Sequence, residues 1–135
     1  MPYLDVDILY AHIKPEDWLK KPAERLLEKV RKRQLDAYTN LMSIIELQVV
    51  SLRDYDRAFS LDIAKRIREV SELRLIPLTN NVLEAAENLR RTYTNLGIFD
   101  SLHAANASLE DNRIVSTDTT YDQIEELERI DPRQI

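Results

Sequence analysis

The sequence predicts an α/β fold in which a parallel sheet is covered by helices on both faces. Three observations carry this reading. Short apolar runs alternate with segments whose apolar residues recur at helical period, the pattern of successive strand–helix–strand units. The chain has 135 residues and no visible boundary, so a single domain is the economical arrangement, and it is long enough to bury a core without disulfides or a structural metal. Glycine occurs once, at Gly97. Rossmann and P-loop phosphate cradles need several glycines to let backbone N–H groups approach phosphate, so nucleotide binding of those kinds is excluded.

Taken in order, residues 2–5 read as a short buried strand and 7–13 as one or two helical turns. A helix from about Pro15 presents Trp18, Leu19, Leu26, Leu27 and Val30 as an apolar face, with Trp18 expected in the core or a dimer contact and Pro22 expected to kink or split the helix. Residues 36–39 form a second strand, followed by a strongly apolar helix with Asn40 as N-cap. A further amphipathic helix leads to a third strand at 73–78, which Pro77 assigns to a sheet edge because proline cannot donate to a ladder. The helix after it carries Val82, Ala86, Leu89 and Tyr93 on one side, with Asn81 and Glu84 spaced as a capping box. After Gly97 the segment IFDSLHAANASLE is a small-residue helix suited to close contact with a sheet. Residues 113–117 (RIVST) make a fourth strand, Thr120 and Gln123 a capping box for a last helix, and RIDP a final short strand.

Composition bounds the function. There are no cysteines, which excludes zinc–thiolate sites, thiol catalysis and disulfides and favours an intracellular, cytoplasmic home. No run is long enough to cross a bilayer. With 24 acidic against 19 basic residues the formal charge is −5, which argues against a protein that holds nucleic acid by bulk charge alone. Lys21, Arg25, Lys29 and Arg33 recur every four residues and read as a solvated basic stripe, with guidance of phosphates or of a partner's acidic segment as the functional alternative.

In a parallel sheet the natural site is the crevice beyond the carboxyl ends of the strands. Asp5, ending the first strand, and Asp118, just after RIVST, belong at that rim. Glu46 stands in a helix otherwise rich in Leu, Ile and Val, and Asp100 opens a helix among Phe99, Leu102, Ala104 and Ala105. Four gathered carboxylates repel one another and raise one another's pKa unless a cation neutralises them. All-oxygen ligands favour Mg²⁺ or Mn²⁺, and the chemistry is then metal-assisted phosphoryl transfer or phosphodiester hydrolysis. His103, one turn after Asp100 with no second histidine close by, reads as a packed, hydrogen-bonded residue rather than a ligand.

The segments YLDVDILY, SIIELQ, GIFDSLHAA and IVSTDTTYD occur in the order and at roughly the spacing of the PIN-domain ribonucleases, and the chain resembles their VapC-type toxin branch over nearly its whole length. The resemblance implies a three-layer α/β/α fold with a parallel sheet of order 3-2-1-4-5. It also implies a Mg²⁺- or Mn²⁺-dependent endoribonuclease acting on RNA, a homodimer, and a cognate antitoxin as partner. Residue by residue, it implies that Asp5, Glu46, Asp100 and Asp118 are the metal-binding and catalytic acids. Asp7 falls where the family usually has asparagine or another polar residue, Asp122 falls at a variably acidic position that would reach the metal through water, and Ser116 and Thr117 would hydrogen-bond a ligand or phosphate. Two other readings compete with this one. A haloacid-dehalogenase-like phosphatase would use Asp5 as nucleophile and Asp7 as general acid, but the downstream motifs are missing; a non-catalytic PIN-like scaffold would not need all four acids.

Overall fold

The computed structural model describes all of residues 1–135. Its first strand, β1 (Tyr3–Leu4), is two residues long and wholly buried. β1 is the centre of a five-stranded parallel sheet with β2 (Tyr38–Asn40), β3 (Arg74–Ile76), β4 (Arg113–Val115) and β5 (Glu128–Ile130), in the order β3-β2-β1-β4-β5. Tyr3 aligns with Tyr38 on one side and Ile114 on the other, and Leu4 aligns with Val115. β3 lies at an edge, as Pro77 just beyond it requires.

Successive strand residues point to opposite faces of a sheet, and this alternation builds the three layers. Leu4 and Val115 face one core with α1 (Val6–Ile13), α2 (Lys20–Arg31), α3 (Leu41–Asp54) and α4 (Arg57–Arg68), where Leu9, Leu26, Leu27, Leu47 and Ile63 are buried. Tyr3, Tyr38 and Ile114 face the other, against Ala104 and Ala107 of α6 (Ile98–Ser108) and against Tyr121 and Leu127. A third cluster joins Met42 of α3 to Val82 and Ala86 of α5 (Asn80–Thr92) and to Leu102 and Ala105 of α6. The alanines of α6 let that helix lie close to β1, which brings side chains on α6 to the sheet's carboxyl end.

Several local expectations are corrected. The first helix begins at Val6, directly after Asp5, which caps it. α2 starts at Lys20, so Pro22 sits in its first turn, where a missing N–H costs no intrahelical bond, and the helix neither kinks nor splits. Trp18 precedes that helix and is 67% exposed, with the Arg133 guanidinium 5.4 Å from its ring centroid; Leu19 takes the buried place instead. Thr79, not Asn81, caps α5, its Oγ1 accepting the Val82 N–H at 3.3 Å. Residues Thr119–Gln123 form a 3-10 turn capped by Asp118 rather than an α-helix opened by Thr120 and Gln123. Asn40 caps α3 as expected, accepting from the Met42 N–H at 3.0 Å.

Replacing fully buried Leu27 by alanine should lower the unfolding free energy by about 2–5 kcal/mol, whereas Trp18→Ala should cost no more than about 1 kcal/mol, the worth of an exposed cation–π contact. Chemical denaturation of both variants tests the contrast, and equal losses would mean that Trp18 is covered in solution.

Candidate active site

The site begins where β1 and β4 end side by side. The Asp5 N–H donates to the Val115 carbonyl at 3.1 Å, so the chain keeps its sheet register while it turns into α1. The Asp5 carboxylate is 4% exposed. Its Oδ1 accepts from the Val6 N–H at 2.8 Å and its Oδ2 from the Ser116 hydroxyl at 2.7 Å. Ser116 Oγ in turn accepts from the Asp118 N–H at 3.0 Å, and Asp118 Oδ1 accepts from the Thr120 N–H at 2.9 Å. One serine hydroxyl therefore couples Asp5 to the backbone of Asp118 at a common rim.

Asp7 has a different task. Its Oδ2 accepts from both the Thr117 N–H (2.8 Å) and the Thr117 hydroxyl (2.6 Å), while Oδ1 accepts from the Ile8 N–H (2.8 Å). These bonds fasten the loop after β4 to the start of α1. They also commit the carboxylate that a dehalogenase-like phosphatase would require as a free general acid.

Across the rim stands a buried polar chain whose proton directions can be followed. The Thr39 hydroxyl donates to the Leu4 carbonyl at 3.0 Å, so the Ser43 hydroxyl, 2.9 Å away, donates to Thr39. The Tyr3 hydroxyl, 3.1 Å from Ser43 Oγ, then donates to Ser43, and the His103 Nδ1–H donates to Tyr3 at 2.7 Å. The other ring nitrogen, Nε2, faces two carboxylates, Glu46 Oε2 at 3.1 Å and Asp5 Oδ1 at 3.7 Å. Burial opposes a charge on His103, yet Tyr3, the Glu46 hydrogen bond and the Asp5 carboxylate outweigh it and hold the imidazole well above its usual range. In its protonated form the ring donates from both nitrogens and offsets the charge of Glu46 and Asp5.

The acids nevertheless remain electrostatically strained. Burial raises the Asp5 pKa, His103 opposes that shift and Glu46 adds to it. Burial, and after it Asp5, pushes Asp7 up to about 6. Half-buried Asp100, in the first turn of α6, is raised by burial and then by Asp118, and no protein donor bonds its carboxylate. Glu46 acts on Asp5, and Asp118 and Glu46 act on Asp100, while Asp118 is joined to Asp5 through Ser116. Asp122, expected to act at most through water, is exposed and forks onto the Arg129 guanidinium at 2.8 and 3.1 Å. Arg129 also donates to the Ser116 carbonyl at 3.1 Å, so this pair braces the rim from outside.

Sequence reasoning missed Tyr3 and Ser43, which orient His103, and Tyr121, fully buried within the field of Asp5, Asp100 and Asp118. Ser43 carried a faint signal, since it lies one helical turn before Glu46 in an apolar helix. No three His, Asp or Glu side chains form a ready-made metal cage. A Mg²⁺-type site does not need one, because that cation binds through one or two carboxylates together with waters and substrate phosphates.

Residues 3–127 match the family model described as PIN domain. No curated protein matches the sequence. Among solved structures, a chain of VapBC2 from Rickettsia felis bound to a promoter DNA fragment is similar at 18% identity and a TM-score of 0.74, over 96% of this chain and 98% of that one. VapC20 from Mycobacterium tuberculosis, described as a sarcin–ricin loop cleaving toxin, is 16% identical with a TM-score of 0.74, over 93% and 95%. FitAcB from Neisseria gonorrhoeae gives 15% identity and a TM-score of 0.73 over the full length of both chains.

The raised carboxyls and the raised imidazole share one sign. The folded state binds more protons than the unfolded chain from about pH 4, where free carboxyls titrate, up through the folded His103 pKa, so metal-free stability falls as pH rises through that window. The melting temperature in EDTA should therefore drop between pH 5 and pH 8, and Asp7→Asn should flatten the part near pH 6. A melting temperature that climbs over this range would contradict the assignment.

Proposed function

Because the chain belongs to the PIN domain family, we propose that it is a Mg²⁺- or Mn²⁺-dependent endoribonuclease, the toxin of a toxin–antitoxin pair. The observation that supports the proposal is the buried His103 facing both Asp5 and Glu46, with Asp118 joined to Asp5 through Ser116 and Asp100 raised by burial and by Asp118. The donor set fits a hard cation: it consists of carboxylate and hydroxyl oxygens, and the one nitrogen present is already bonded on both sides. Asp5, Asp100 and Asp118 would hold the cation, with Glu46 beside them. Once bound, it supplies charge neutralisation at a phosphodiester and acidifies a coordinated water.

The remaining steps belong to the chain. Ser116 fixes the Asp5 carboxylate, and Thr117 with Asp7 fixes the loop that carries Asp118. Glu46 is tied to His103, which leaves Asp100, free of protein donors, as the carboxylate best able to orient and deprotonate a water for in-line attack. RNA as the substrate rests on the fold shared with VapC20, which is described as cleaving the sarcin–ricin loop. An antitoxin partner rests on similarity to chains from toxin–antitoxin complexes. A homodimer is supported by the exposed apolar stripe of Leu41, Ile45, Val49 and Leu52 along α3, a surface that a monomer would leave in water.

Asp5→Asn and Asp100→Asn should each reduce Mn²⁺-dependent RNA cleavage by about a hundredfold or more while leaving the far-ultraviolet circular dichroism unchanged. An Asn variant with wild-type activity would refute the assignment, and an inactive wild type over a range of RNAs would favour the scaffold reading. In sedimentation equilibrium Ile45→Glu should halve the mass of the wild-type species. A wild type already monomeric would remove the dimer.

A further inference from the structure

Two helices that carry site residues share a spacing. From the cap of α3 onward, Asn40, Ser43 and Glu46 recur every third residue, and along α6 so do Asp100, His103 and Asn106. The fold sets the two series against each other in opposite order. Glu46 Oε2 lies 3.1 Å from His103 Nε2, Ser43 and His103 meet at the same Tyr3 hydroxyl, and Asn40 Nδ2 donates to Asn106 Oδ1 at 3.1 Å. The asparagine pair holds no acid, and the proposed chemistry does not use it.

Both amides are buried, at 0% and 3% exposure, and backbone groups orient each of them. Asn40 Oδ1 accepts from the Met42 N–H at 3.0 Å, which turns its Nδ2 toward the Pro77 carbonyl at 3.1 Å and toward Asn106. Asn106 Nδ2 donates to the Leu102 carbonyl at 2.9 Å, which leaves its Oδ1 to accept from Asn40. Around them Met42 of α3 packs with Leu102 and Ala105 of α6. Apolar contacts of that kind tolerate a small slide of one helix along the other, whereas a buried amide pair is satisfied in one register only.

We propose that Asn40 and Asn106 are positioning residues, an amide bridge that locks α3 and α6 in the register at which Glu46 meets His103 and Asp100 takes its place in the site. For its effect on turnover this rests on the nuclease reading given above. Residues three apart share a helix face, so the bridge acts on Ser43 and His103 from the adjacent turn and through them on the helix segments that carry Glu46 and Asp100.

Two single variants break the bridge from opposite sides. Asn40→Ser keeps a helix cap but lacks the bridging N–H, and Asn106→Ala removes the acceptor while leaving the cap untouched. The test compares both, their double variant and Leu27→Ala, a core truncation that leaves both amides intact. It reads steady-state Mn²⁺-dependent RNA cleavage and, separately, the His103 ring N–H proton resonances in EDTA. Each single variant should lower kcat by about tenfold or more with KM little changed, the double variant should be no worse than the weaker single, and the His103 resonances should shift in all three. Leu27→Ala should alter neither readout. Unchanged kcat or unchanged His103 resonances in a single variant overturns the bridge, as do losses that multiply in the double variant or a Leu27→Ala that loses kcat equally. Should Asn40→Ser fail to fold, Asn106→Ala decides alone. A wild type that cleaves no RNA overturns the nuclease reading instead, and the His103 resonances then settle the bridge: shifted they support it, unchanged they overturn it.

Discussion

The alignment of β1 with β4 is the constraint from which the site follows. Tyr3 against Ile114 and Leu4 against Val115 fix the register, and the Asp5 N–H bond to Val115 extends it one residue past the strand. Slipping β1 by one residue would exchange the faces to which Tyr3 and Leu4 point and turn a phenol into the purely apolar layer. Because the strands run parallel, their carboxyl ends coincide, and Asp5 meets Ser116 and Asp118 with no further device. The cost is a nearly dry carboxylate. His103, held from the opposite side by Tyr3, Ser43 and Thr39, supplies the compensating charge.

Around that centre the carboxylates divide into those that are committed and those that are not. Asp7 is saturated by Thr117 and Ile8, and Asp122 by Arg129; both hold backbone in place. Glu46 spends one oxygen on His103. Asp100 is half-buried, raised by burial and by Asp118, and bonded by no protein donor. The rigid groups thus surround a small set of unfinished ones, and local strain of that kind is characteristic of functional sites.

Much of this was legible in the sequence, for physical reasons. The parallel sheet and the edge position of β3 follow from elements of fixed type in fixed order and from Pro77, the strand order follows from the family resemblance, and a carboxylate inside an apolar segment is conspicuous because burial makes it costly. Asn40 was readable as a cap because its side chain acts within two residues. What failed was equally local in origin. Pro22 looks disruptive only for a helix starting at Pro15, five residues before the real one, the core alternative for Trp18 fails because Leu19 fills that position, and Thr79 outcompetes Asn81 as a cap. The roles of Tyr3, Ser43 and Tyr121 depend on contacts between distant segments, which no periodicity encodes. His103 was correctly read as bonded rather than free, but its service as counter-charge to Asp5 and Glu46 appears only in three dimensions.

The central claim is that side-chain oxygens from β1, α6 and the loop after β4 jointly hold one hard cation. Anomalous diffraction from crystals soaked in Mn²⁺ tests it most directly. The account predicts a peak about 2.1 Å from an Asp5 oxygen, on the side of the rim where Asp100 and Asp118 lie. A peak bound only to other surface acids, or fully loaded crystals with none beside Asp5, would contradict it.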